Sequence, residues 1–166
     1  MKSIKPEKLQ KTPFSLIGQD WMLVTAQKGD KVNTMTASWG GMGVMWAKNV
    51  AFVAIRPGRY TKEFVDSADT FSLTFFEGAY KKEMGYLGSV SGRDEDKIAK
   101  SGLTVAYEQG TPYFKEAKLV LLCRKLYNQP MLPACFIDKA SDEKWYPQKD
   151  YHTLYIAEIV QVLAAD

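Results

Sequence analysis

Roughly seven short runs rich in apolar and β-branched residues recur along this chain, with no long amphipathic helix between them. They include "DWMLVTAQ" (20–27), "VNTMTASW" (32–39), "VAFVAIR" (50–56), "TFSLTFF" (70–76), "AKLVLLCRKLY" (117–127) and "HTLYIAEIVQVL" (152–163). A doubly wound parallel sheet needs long helices alternating with its strands. Closing the sheet on itself disposes of its edges without them, so the pattern predicts a mainly β fold, a β-barrel with short helical insertions. "KGDK" (28–31) predicts a tight hairpin turn, and Pro57–Gly58 ends the third run. Short helices are expected over "TKEFVDSA" with Thr61 as N-cap, "AYKKEMGYLG", and "GRDEDKIAKSG" with Gly102 past its end. "NQPMLPA" and "DEKWYPQKDY" read as loops.

At 166 residues the chain is long enough for one domain, taken here as 1–166, with a core of its own. A net charge of +3 on 22 basic and 19 acidic residues, spread without a basic run, argues against nucleic acid as a partner. No apolar run reaches membrane-spanning length, and "MKSIKPEKLQKTPF" lacks the apolar centre of a secretory signal. The expected compartment is the cytoplasm, with no membrane association and with Cys123 and Cys135 reduced. With His152 the only histidine and no CxxC, a Cys/His metal site is not expected.

The most informative stretch is "VNTMTASWGGMGVMWAKNVAFVAIRPGRYT" (32–61). On a strand, Asn33, Met35, Ala37 and Trp39 share one face, while Thr34, Thr36 and Ser38 share the other. Neither face is purely apolar, as a plain core face would be. Small side chains let a flat ligand approach the backbone, and Asn33, Thr36 and Ser38 could hydrogen-bond a heteroaromatic edge. A solvated edge strand is the alternative. Downstream, Arg56 and Arg59 flank a turn just before the expected N-cap Thr61, an arrangement suited to a phosphate. Two unrelated surface arginines are the alternative. The glycines of "GGMG" do not have the spacing of a dinucleotide-binding turn. No Ser/His/Asp or paired-carboxylate constellation stands out.

"NTMTASWGGMGVMW" followed by "RPGRYT" resembles the signature region of the flavin reductase-like FMN-binding split-barrel family, in its flavoredoxin-type branch. The likeness extends through "FSLTFF", "YLGSVSGRDEDK" and "DYHTLYIAEIVQVL", from about Trp21 to about Leu163. The resemblance implies a homodimeric split barrel holding FMN non-covalently near the subunit interface. It places Asn33, Met35, Thr36, Ala37, Ser38 and Trp39 against the isoalloxazine ring. It places Arg56, Arg59, Tyr60 and Thr61 at the phosphate and ribityl end, with Ser91 and Gly92 completing that shell. His152 matches the family's histidine near the flavin, where it would orient a hydride donor or supply a proton. One departure is Ala157, where the family usually has glycine.

The activity so implied is flavin-dependent oxidoreduction, with NADH or NADPH as hydride donor and a small-molecule acceptor such as free flavin or iron. The alternatives are an FMN-carrying electron-transfer protein reduced by a redox partner, and a flavin- or heme-type binding module without turnover. Trp145 and Tyr146 would lid the flavin, meet the partner subunit, or simply pack beneath a loop.

Overall fold

The computed structural model describes residues 1–165 and contains ten strands and four α-helices. The strands are β1 (Lys2–Ile4), β2 (Met22–Lys28), β3 (Lys31–Ala37), β4 (Gly40–Met45), β5 (Lys48–Ile55), β6 (Thr70–Phe75), β7 (Val105–Glu108), β8 (Thr111–Phe114), β9 (Leu119–Pro130) and β10 (Thr153–Ala164). The helices are α1 (Tyr60–Ser67), α2 (Lys81–Ser89), α3 (Lys97–Ser101) and α4 (Lys139–Trp145). Among the described residues, no helix is long and apolar enough to cross a membrane.

The main sheet runs β3-β2-β6-β9-β10-β5-β4, antiparallel throughout, and β1 adds to the far end of β10. Its two outer strands, β3 and β4, are consecutive in the chain and separated by only Ser38 and Trp39. The sheet therefore curls until its edges are joined at that link, without pairing along their length, which makes the expected barrel one with an open seam. β10 pairs with β9 along its length, but on its other side it passes from β5 to β1, and the β9–β10 register shifts twice on the way. Such bulges bend a strand and let it serve two partners.

Alternation along the strands sorts the core. Val24, Met35, Val53, Leu73, Leu121 and Tyr155 fill the barrel interior, with Phe64 and Val65 of α1 packed among them. On the outer surface a second cluster includes Leu23, Met84, Leu87, Phe114 and Leu122, beneath α2 and the separate β7–β8 hairpin. β3 is buried on both sides. Met35 and Ala37 face the barrel interior. Thr34 donates to Val24 O and pairs with Thr25 Oγ1, and Thr36 donates to Met84 O. The expectation that neither is a plain core face is thereby corrected for the face of Met35 and Ala37; on the other, Thr34 and Thr36 satisfy their hydroxyls within the protein, Thr36 against α2.

Several boundaries differ from the sequence reading. The glycine- and methionine-rich link is strand β4, joined to β5 by a two-residue turn in which Trp46 and Ala47 both have positive φ. That is mirror-turn geometry, ordinarily marked by Asn-Gly. Thr61 does not cap α1; the N-cap is Arg59, and the Thr61 hydroxyl accepts from Asn33 Nδ2 at 2.9 Å. The helix expected over "GRDEDKIAKSG" begins only at Lys97, capped by Asp96, and ends at Gly102 with φ 73°. The supposed loop around Trp145 contains α4, capped by Asp138. "NQP" belongs to the end of β9, while β1 and β8 had no counterpart in the reading. Both cysteines are free, Cys123 buried and Cys135 exposed.

Close packing of β4 on β5 gives two neighbouring glycines opposite roles. A Cβ on Gly40 would lie 2.3 Å from Phe52 O, whereas one on Gly43 would meet nothing within 4 Å. Gly40→Ala is expected to destabilise by about 1–3 kcal/mol through backbone displacement. Gly43→Ala should be neutral or stabilise by up to about 1 kcal/mol. Urea unfolding midpoints of the two variants test this contrast.

Candidate functional site

The end of β3 and the Ser38–Trp39 link form the floor of a groove. One wall is α2, whose Gly85, Gly88 and Ser89 lie on the groove side and present almost no side-chain bulk. α2 can come this close because it has glycine at 88: a Cβ there would sit 3.1 Å from the Cβ of Thr36. Two glycines inside a nine-residue helix each cost about 1 kcal/mol of helix propensity relative to alanine. The opposite wall carries Trp39, Trp145 and His152. Trp145 stands edge-on to Trp39 with ring centroids 5.1 Å apart, and the His152 ring is tilted against Trp39 at 4.8 Å.

The α2 side of the groove encloses about 330 Å³ and the aromatic side about 160 Å³, the two sharing Thr36, Ala37, Ser38 and Arg59. The combined space is in the range of ordinary small-molecule sites, of order 300–1,000 Å³, while the aromatic end alone is below it. Of the residues singled out in the sequence, Met35, Thr36, Ala37, Ser38 and Trp39 line the aromatic side together with Arg56, Arg59 and His152. Asn33, Tyr60 and Gly92 instead line a separate cavity of about 450 Å³ with Arg93 and Lys97. Thr61 is 1 % exposed and bonded to Asn33. The Ser91 hydroxyl accepts from Arg93 N. Ala157 lies in the barrel interior, where its methyl is part of the core. Trp21, Gly85, Gly88 and Ser89 escaped the sequence reading; the signal that could have found them is the small-residue spacing of "GYLGS".

The two arginines of the turn have different partners. Arg56 donates to Asp150 Oδ2 at 2.5 Å and to the Trp145 carbonyl at 2.8 Å, and its guanidinium lies 5.3 Å from the Tyr146 ring centroid. Its charge is balanced by a carboxylate. Arg59 donates only to a neutral acceptor, Gly88 O at 2.7 Å, among the bonds of the described residues, so its positive charge remains uncompensated. Nearby, the Lys97 ammonium is 4 % exposed and held by Leu87 O and Val90 O. Burial, and then the neighbouring Arg59, push the pKa of Lys97 down to about 8. Both cations meet carbonyls at the C-terminal end of α2, where the helix dipole favours positive charge.

His152 is 7 % exposed and its Nδ1 lies 2.8 Å from the Tyr146 hydroxyl. Burial first, then Arg56, push its pKa down to about 4; Asp150 pulls the other way, and Arg59 adds a smaller push. The imidazole is therefore neutral at pH 7, with Nε2 left to serve a ligand. No group of metal-ligating side chains occurs among the described residues. The groove is thus flat-floored, positively charged and free of any acid–base pair that could carry out covalent chemistry by itself.

Residues 14–166 match the family described as the flavin reductase like domain. The fold is similar to that of a flavoredoxin from Methanosarcina acetivorans, at 25% identity and TM-score 0.68 over 89% of this chain and 69% of that one. It is also similar to an FMN-binding domain of a flavin reductases-like enzyme from Shewanella baltica, at 18% identity and TM-score 0.71 over 98% of this chain and 76% of that one. A flavoredoxin of Desulfovibrio vulgaris aligns at 23% identity and TM-score 0.68 over 88% and 69% of the respective chains. No curated protein sequence matches significantly.

The neutral state of His152 has a consequence for stability. Its folded pKa of about 4 lies below the ordinary 6.5, so between those values the unfolded chain binds more protons. Stability must therefore fall as pH drops through that window, by about 1–3 kcal/mol from this residue. His152→Gln should lose correspondingly less stability between pH 7 and pH 4.5 in urea titrations. Equal losses in both proteins would contradict the burial argument.

Proposed function

The chain belongs to the flavin reductase-like family, and on that premise we propose that it is an FMN-dependent oxidoreductase whose cofactor lies in the groove along β3. The observation that carries this reading is the pairing of a flat, small-residue floor with an uncompensated arginine at its side. The residues present fit FMN. Ser38 and the backbone from Ala37 onward receive the face of the ring, with Trp39 supplying apolar contact. Gly85, where a Cβ would meet nothing within 4 Å, leaves the width that a broad ring system needs. Arg59, bonded only to a carbonyl, retains N–H donors for the phosphate, and such charge-assisted bonds are the strong ones. When bound, FMN supplies the redox chemistry, taking a hydride's two electrons from NADH or NADPH and passing them to free flavin, iron or another small acceptor.

The protein's own part is to bind, orient and bias. His152 is kept neutral by burial first, and the positive field of Arg56 and Arg59 that adds to this also favours negative charge at the ring. His152 holds one ring nitrogen on Tyr146 and keeps Nε2 for the ligand, where it can position a donor. The outward face of β4, β5 and β9 exposes Met45, Phe52 and Tyr127, with Trp46 of the β4–β5 turn beside Tyr127, a surface suited to a second copy of the chain, and we include a homodimer in the proposal. A second reading, an electron carrier reduced by a redox protein, draws support from the cover that Trp145 forms over the aromatic end, which restricts entry of a nicotinamide.

Arg59→Ala should weaken FMN binding by about 10- to 100-fold, the loss of a charge-assisted contact of about 1.5–3 kcal/mol, read by fluorescence titration. Light scattering on the same samples should give a dimer; a monomer that still holds FMN would overturn that part. Mixing the FMN-loaded protein anaerobically with NADH or NADPH should bleach the flavin within the turnover range of enzymes, about 1 s⁻¹ or faster. Bleaching only by a ferredoxin-type donor would select the carrier instead.

A further inference from the structure

We propose that Arg56 is a positioning residue, not a phosphate ligand: it latches α4 to the barrel so that Trp145 covers the aromatic end of the groove. The latch itself is read from the coordinates, and its effect on the cofactor rests on the FMN reading above. α4 has no buried residue of its own, and Ile137 just before it is fully exposed. The apolar anchor is the residue after the helix, Tyr146, which is 2 % exposed and packs on Phe136, Tyr151 and His152; α4 itself adds none. Its bonds to Lys149 and Tyr151 through Asp142 stay within the same segment. Beyond Tyr146, the polar tie between the segment and the barrel is Arg56, which follows the last residue of β5. One side chain engages three points of the segment: the Trp145 carbonyl, the Tyr146 ring and the Asp150 carboxylate. The Tyr146 hydroxyl adds a contact to His152 at the start of β10.

The geometry gives the latch a use. With α4 held down, Trp145 meets Trp39 edge-on and the space between them and β3 is about 160 Å³. That is small for a tricyclic ring with a second reactant against it, given that ligand sites are of order 300–1,000 Å³. Displacing Trp145, itself 45 % exposed, enlarges this end while Tyr146 stays seated, because no residue within α4 is buried. Arg56 thereby controls how often the ring is reachable, as lids do in enzymes whose access step is separate from chemistry. Arg59, two residues beyond the start of the turn, contacts α2 and not α4, so the two arginines act on opposite walls.

Two measurements test the latch. In cofactor-free protein, trypsin cleavage after Lys144 and Lys149, followed by mass spectrometry, should accelerate about tenfold in Arg56→Ala and in Asp150→Asn. Cleavage in the β2–β3 hairpin at Lys28 and Lys31 serves as the reference and should be unchanged. The charge-exchanged double variant, Arg56→Asp with Asp150→Arg, should recover much of the protection. In FMN-loaded protein, Arg56→Ala should raise iodide quenching of flavin fluorescence about threefold or more while shifting the FMN Kd by less than about threefold. Cleavage that is unchanged, or that rises equally in the hairpin, overturns the latch. So does an FMN affinity lost as severely as in Arg59→Ala with quenching unaltered, which makes Arg56 a phosphate ligand after all. Failure of the wild-type chain to take up FMN would overturn the proposed function alone, leaving the proteolysis to decide the latch.

Discussion

Closure of the sheet through Ser38 and Trp39 is the constraint on which the rest of the molecule depends. β3 and β4 are the two edges of one curled sheet, so the residues between them must belong to both. Trp39 does this literally, its carbonyl accepting from Ala54 N on β5 at 3.2 Å. Along β3 itself, side chains on both faces are committed, to the barrel core on one side and to α2 on the other. What the strand can offer a ligand is therefore its last, smallest side chains and the backbone at its exit. A groove forms there because regular strand pairing stops before packing does.

The charges around that groove show how little residue type says about role. Arg56, Arg59 and Lys97 are all cations within reach of α2 or α4, yet each has a different environment. Arg56 is neutralised by Asp150 and serves as an anchor between elements. Lys97 is buried against carbonyls and has its pKa drawn down. Arg59 alone combines a place in the groove with a charge that no carboxylate offsets. An anion entering the groove is drawn to the last of these, since the other two have their donors engaged. His152 stays neutral because it is buried and, secondarily, because it sits beside the arginines, which suits it to orient a ligand by hydrogen bonding, without adding a further charge.

Much of the fold was legible because it rests on local chemistry. The apolar and β-branched content of "DWMLVTAQ", the answering run "VNTMTASW", the "KGDK" turn between them and the continuous apolar run before Pro57 each declare a strand or its end without reference to anything distant. β4 was missed because glycine and methionine carry no strand signal, and its turn puts Trp46 and Ala47 where Asn and Gly are expected. α4 was missed because two aromatics and a proline near its end outweigh seven residues of helix. Thr61 was given a cap's role on propensity, whereas Asn33, far away in sequence, claims its hydroxyl.

By itself the sequence determined the strand pattern, the family and the segment that floors the groove, because each is written in side-chain alternation and in motifs contiguous along the chain. The tertiary structure alone decided which cation stays free, which side chains of β3 are already bonded, and what covers the aromatic end. These depend on partners many residues apart: Arg56 with Asp150, Arg59 with Gly88, Trp39 with Trp145. A guanidinium's role is set by the oxygen it meets, and only the folded chain brings that oxygen to it.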